Sequence, residues 1–158
     1  MARSIPIMSH NFRVTISPAV GGPIPADIGF SAVSGLEGSV SVINYREGNS
    51  LLRSSQSHRG LENPSAVVLS RGVSDSSNEA ANVSLMEWFN TVSELDSKTQ
   101  DTLAEVSIIA FDRDGKQSIE YVLSNAWPSK ISYSNLTASS SSIMINSLEL
   151  SHDGIKFK

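Results

Sequence analysis

The chain of 158 residues has no cysteine. That excludes a disulfide framework, a thiol nucleophile and a thiolate-bound metal, and it fits assembly in a reducing cytoplasm. Long apolar runs are also missing: no stretch approaches the ~18 consecutive apolar residues of a membrane helix. The opening Met1-Ala2-Arg3-Ser4-Ile5-Pro6-Ile7 lacks an apolar core of signal-peptide length, so the expectation is a soluble protein made and folded where it is translated. Histidine is scarce. His10, His58 and His152 lie far apart with no ligand partner at helical or strand spacing, and zinc needs three or four converging ligands.

Charge excludes another class. Twelve Lys and Arg face 16 Asp and Glu, for a formal net charge of −4, and no polybasic run occurs. Phosphate-backbone binding as a main function is disfavoured. There is no Gly-x-Ser-x-Gly, P-loop or dinucleotide fingerprint. Asp112-x-Asp114-Gly115 resembles part of a calcium loop, but the remaining ligands and the closing Glu are absent. The sequence therefore predicts no enzyme, no catalytic residue, no metal and no cofactor.

What is present is a strand pattern. The length suits one domain, which buries roughly 68–70% of the surface its unfolded chain exposes. Phe12, Val14 and Ile16 alternate with Arg13 and Thr15, which predicts a strand. Ile28 to Ser34 returns to strand character, Gly35-Leu36-Glu37-Gly38 reads as a turn, and Ser39 to Tyr45 alternates again. Residues 46–64 are polar with few apolar anchors and read as one long loop, a length usually functional or disordered in compact domains. Ala66 to Leu69 is a short apolar strand.

One helix is predicted, over about 78–92. Ser76-Ser77-Asn78-Glu79 has capping-box form, and Ala81, Leu85, Trp88, Phe89 and Val92 fall at helical spacing. Leu85, Trp88 and Phe89 are the expected core anchors. Beyond the helix, Glu105 to Asp112 and Ser118 to Asn125 flank a hairpin turn with Gly115 in a left-handed position. Trp127-Pro128 is expected to break that run before strands at Lys130 to Asn135 and Ser142 to Leu150. In the last of these, Ile143 and Ile145 sit on odd positions while Leu148 and Leu150 sit on even ones, which predicts a bulge near Asn146-Ser147. Seven or eight strands and one helix without a βαβ rhythm give a mainly β, antiparallel sandwich or barrel with one flanking α-helix.

Several blocks then read together: Phe30-x-x-Val33-Ser34-Gly35-Leu36, Tyr45-Arg46-Glu47-Gly48, Val68-Leu69-Ser70-Arg71-Gly72, Trp88-Phe89, Asn125-Ala126-Trp127-Pro128-x-Lys130, and Leu148 to Ile155. In this order and spacing the chain resembles the tail-tube protein family of contractile phage tails and phage-tail-like injection particles, from about Phe12 to Ile155. The resemblance implies a single tail-tube domain folded as a sandwich or partial barrel. It further implies six subunits in a ring, each giving four strands to a continuous inner barrel, with rings stacked into a hollow tube. The secreted ring protein of type VI secretion shares that architecture. About 24 strands at ~4.8 Å spacing and ~40° tilt would make a barrel roughly 48 Å across its backbone.

The implied partners are further copies of the chain, a sheath protein, baseplate and tube-terminator proteins, and DNA or protein cargo passing through without specific binding. The implied place is a virion tail or a released particle. Ser39 and Ser41, alternating with Val40 and Val42, are the lumen-lining candidates. Six copies at −4 each would give a ring of −24, which disfavours adhesion of DNA to the wall. The loop at 46–64 is implied to reach the next ring and neighbouring subunits. Its contact candidates are Tyr45, Arg46, Glu47, Gly48, Arg53, His58, Arg59 and Glu62, with Gly48 expected in a left-handed turn. Two alternatives stand beside the tube subunit. One is a baseplate tube-initiator of the same machine; the other is a stand-alone β-sandwich binding module.

Overall fold

The computed structural model describes residues 6–18, 28–49, 55–73, 79–94 and 102–158. In chain order its elements are β1 (Phe12–Pro18), β2 (Ala32–Ser34), β3 (Gly38–Tyr45), β4 (Gln56–Pro64), β5 (Val67–Gly72), α1 (Glu79–Glu94), β6 (Ala104–Phe111), β7 (Gln117–Tyr133), β8 (Ile145–Ser151) and β9 (Gly154–Phe157). All pairings between these strands are antiparallel. Among the described residues, seven strands form one continuous sheet in the order β1-β6-β7-β8-β5-β2, with β9 also on β7, while β3 and β4 pair only with each other.

The 17-residue β7 makes the fold. Its first half pairs with β6 and, on the other edge, with β9; its second half pairs with β8. One strand thus serves two half-sheets, and the core lies between them. Trp127-Pro128 does not end the strand, contrary to the sequence expectation. Asn125 takes a positive φ of 52°, a region that Asn tolerates better than most residues, and its amide donates to Asp153 Oδ2 at 2.7 Å. The register then shifts between Pro128 and Lys130. A proline lacks the ladder N–H and is accommodated beside such a bulge, so the chain bends and continues.

The bulge expected near Asn146-Ser147 is also absent. β8 pairs without a register shift with β5 from Ile145 to Leu150, burying Asn146, Leu148 and Leu150 while Ile145 stays exposed. Ile143 precedes the strand and is 75% exposed. The apparent change of parity arises because a polar residue, Asn146, holds an inward position that a hydrophobic pattern cannot register.

Core rows cross both half-sheets. Ile131, Leu148, Leu69 and Val33 are successive cross-strand partners, as are Ile16, Val106 and Leu123. Leu69, Leu148, Ile16, Val106 and Leu123 are essentially sealed from solvent, each stabilising the fold by about 1.5–3 kcal/mol through side-chain burial. Helix α1 packs against β7. Of its expected anchors, Leu85 and Trp88 are buried in the core, and the Trp88 indole N–H donates to the Thr102 carbonyl at 2.8 Å. Phe89 is only partly buried and is not part of that core, because it lies on the border of the stripe set by Leu85, Trp88 and Val92. The capping residues Ser76 to Asn78 lie outside the described residues. Gly115 has the expected positive φ, 74°.

Candidate assembly surface

The segment 46–64, expected to be a loop, is not one throughout. Its second part is β4, which pairs with β3 from Gly38↔Pro64 to Tyr45↔Gln56. The sequence hides this strand because Gln56 to Pro64 has one aliphatic side chain, Leu61. Its backbone hydrogen bonds come from the partner strand, not from burial of a face.

The two strands form an arm. Its main contact with the body, among the described residues, is at its base, where β4 meets β9. Pairing sorts the side chains into two faces. Ser39, Ile43 and Tyr45 share one with Asn63, His58 and Gln56; Val40, Val42 and Asn44 share the other with Glu62, Arg59 and Ser57. Neither face is covered. Val42 is 67% exposed and Leu61 82%, and Val40, Ile43 and Tyr45 are exposed as well. An isolated two-stranded ribbon is marginal in water, and its open edges invite pairing with another chain.

Short polar contacts hold the arm's register. Ser39 Oγ donates to the Asn63 carbonyl at 2.9 Å, Asn63 Nδ2 donates to Ser41 Oγ at 2.8 Å, and Ser57 Oγ donates to Asn44 Oδ1 at 2.9 Å. Arg59 and Glu62 form an exposed ion pair at 2.5 Å. Between Val40 and Val42 the register shifts, so that Gly60 and Leu61 together face Ser41, the two-against-one count of a bulge. A Cβ on Gly60 would stand 2.9 Å from both Cβ and O of Ser41. Only glycine fits that approach without displacement.

At the base, the chain entering the arm touches the chain leaving it. Gly35 has φ +82°, and a Cβ there would collide with the Ala66 carbonyl oxygen. His152 Nε2 lies 2.8 Å from the Ser65 carbonyl oxygen and donates to it in that tautomer. A shallow cleft of about 240 Å³ opens beside the base, lined in part by Gly38, Val40, Pro64, Ile155 and Phe157. Phe157 is exposed and stacks edge-on against Tyr121, with 5.6 Å between ring centroids.

The sequence candidates sort accordingly. The structure brings Ser39, Ser41, Tyr45, His58, Arg59 and Glu62 together on the arm, and places Arg46, Glu47 and Gly48 in the exposed stretch that follows β3. Arg53 lies outside the described residues. Gly48 does not have the expected left-handed backbone, and nothing lies within 4 Å of a Cβ built there; Gly35 and Gly115 are the glycines with positive φ among the described residues. The residues missed were Gly60 and Leu61 on β4, and Ile155 and Phe157 on β9. The alternation of Ile155 and Phe157 is the one sequence signal that could have pointed to β9.

Residues 8–156 match the family described as T4-like virus tail tube protein gp19. The chain belongs to this tail tube family. No curated protein matches it by sequence. Among solved structures, a chain of the anti-feeding prophage baseplate is 26% identical, with a TM-score of 0.77 over 99% of this chain and 97% of that one. A chain of the sheath-tube complex of an extracellular contractile injection system, PVC, in its extended state is 22% identical, with a TM-score of 0.75 over 97% and 91%. The Hcp1 protein from the E. coli EAEC 042 pathovar shares the fold at 10% identity and a TM-score of 0.54, over 95% and 92%. The tail tube chain described here is homologous to inner tube proteins of contractile injection systems.

Proposed function

We propose that this tail tube chain is the repeating structural subunit of an injection machine's inner tube, without catalytic activity. Six copies form a ring, rings stack, and the hollow tube conducts DNA or protein effectors inside a sheath, between a baseplate and a tube terminator. Subunits fold in the bacterial cytoplasm and end in a virion tail or a released particle. Family membership supports the reading, and one observation carries it at the level of this molecule: the β3–β4 arm exposes apolar side chains on both faces and, among the described residues, leaves both edges unpaired. Such a ribbon gains its missing contacts from neighbouring copies.

In this reading the hydroxyl-bearing face of β3, Ser39 and Ser41, lines the lumen. Tyr45, Arg46, Glu47, Gly48, Arg53, His58, Arg59 and Glu62 make contacts between subunits and rings. Mixed charges there suit a wet, register-setting interface. Negative-stain microscopy of the concentrated protein tests the proposal. Rings about 48 Å across the inner backbone wall, and tubes built from them, are expected. Persistent monomers, even with baseplate partners present, overturn it, and rings that never stack would instead assign the chain to tube initiation.

A further inference from the structure

At one end of the half-sheet formed by β7, β8 and β5, the apolar rows give way to a polar one. Tyr133, Asn146 and Arg71 are successive cross-strand partners and so share the inward face that carries Ile131, Leu148 and Leu69 one row below. Arg71 and Asn146 are 2% and 1% exposed, yet among the described residues Arg71 Nε and Nη1 and both amide atoms of Asn146 have no hydrogen-bond partner. Burial pushes the Arg71 guanidinium below its ordinary pKa, and the Tyr133 phenol opposes part of that shift. A buried guanidinium without an acceptor is costly, and native structures rarely leave one so.

The missing group has a definable chemistry. A guanidinium fork beside an amide and a phenol presents donors to a planar oxyanion, and carboxylate is the usual match. The β7–β8 loop that rims this end, Ser134 to Met144, contains no charged residue. It does hold Leu136 and Ile143 at 83% and 75% exposure, and the Met144 carbonyl ties it to Val73 next to β5. Exposed apolar residues around a desolvated polar centre are the anatomy of an interface hot spot. Tyr133, 36% exposed, is the member of the row that reaches solvent.

We infer that the Tyr133–Asn146–Arg71 row is a carboxylate-binding site filled by an acidic side chain of a second copy of this chain, with Leu136 and Ile143 sealing the contact. The choice of a second copy rests on the tube reading; the carboxylate site does not. In the dispersed subunit Arg71 is then a standing electrostatic cost, relieved on assembly.

The test compares wild type with Arg71→Met, which keeps an apolar stem and removes the charge. The melting temperature of dilute, dispersed subunit should stay the same or rise, because an unpaired buried charge is removed. The concentration needed for tube formation, read by sedimentation, should rise at least about tenfold, as expected for a lost charged hydrogen bond. A fall in melting temperature, or failure to fold, means that the guanidinium is already paired within its own chain and overturns the inference. An unchanged assembly threshold overturns the second copy as occupant. Sodium acetate, compared with sodium chloride at equal ionic strength, provides an independent measurement on wild type. It should raise the melting temperature specifically, and no acetate-specific rise overturns the carboxylate site. If wild type forms no tubes at all, the tube reading fails, while the melting and acetate results still judge the site.

Discussion

In the sandwich, alternate residues of β5 and β8 vanish into a common core: Val67 and Leu69 from one strand, Leu148 and Leu150 from the other. In the β3–β4 arm neither face does so, although Val40, Val42 and Ile43 are as apolar as any residue in the body. Backbone pairing is antiparallel in both regions, so hydrogen bonding does not distinguish them. Burial does. Stability resides where two faces close on each other, and the arm is left with uncovered side chains and, among the described residues, edges that pair with no further strand.

The sharpest way to break this contrast is in the core. Leu69→Ala should destabilise the subunit by about 2–5 kcal/mol through lost burial and a cavity, read by urea denaturation, with assembly failing as a consequence. At the junction, Gly35→Ala combines a left-handed backbone with a collision on Ala66. About 1–3 kcal/mol from the conformation alone is expected. An unchanged denaturation midpoint would show that the arm's base is not held by this contact. In the arm itself, Val42→Glu combined with Leu61→Glu should alter subunit stability by no more than about 0.5 kcal/mol per site, the range of exposed substitutions. Tube formation should nevertheless be lost in microscopy. If that variant unfolds while Leu69→Ala remains folded, the roles of the two regions are reversed. The smallest effect is expected from Arg59→Ala, since an exposed ion pair contributes about 0–1 kcal/mol and is screened by salt. Comparing wild type and variant at low and high salt measures it.

How much of this was legible beforehand depends on what each residue's neighbours do. Phe12 to Ile16, Ser39 to Tyr45 and the hairpin around Gly115 were readable because alternation and turn chemistry are local signals. β4 was not, because its partner is β3 and its own side chains are almost all polar. Trp127-Pro128 read as a break because proline removes a ladder donor, whereas the bulge beside it and the turn at Asn125 keep β7 continuous. Phe89 read as an anchor from helical spacing, yet its place at the border of the apolar stripe leaves it only partly buried. The arm candidates Ser39, Ser41, Tyr45, His58, Arg59 and Glu62 carry polar chemistry legible in the sequence, whereas the pairing that unites them does not show there.

The sequence by itself determined the absence of thiol chemistry, a mainly β antiparallel class, one amphipathic helix and, through six ordered blocks, the tail tube resemblance. These follow from composition and from patterns only a few residues long. Only the tertiary structure decided that β7 bends through both half-sheets, that 56–64 is a strand of an uncovered arm, and that Arg71 lies buried beside Asn146 with no acceptor for Nε and Nη1 among the described residues. Each of these depends on which residue stands across a strand or a core, beyond the reach of a short local pattern. No local pattern records that relation.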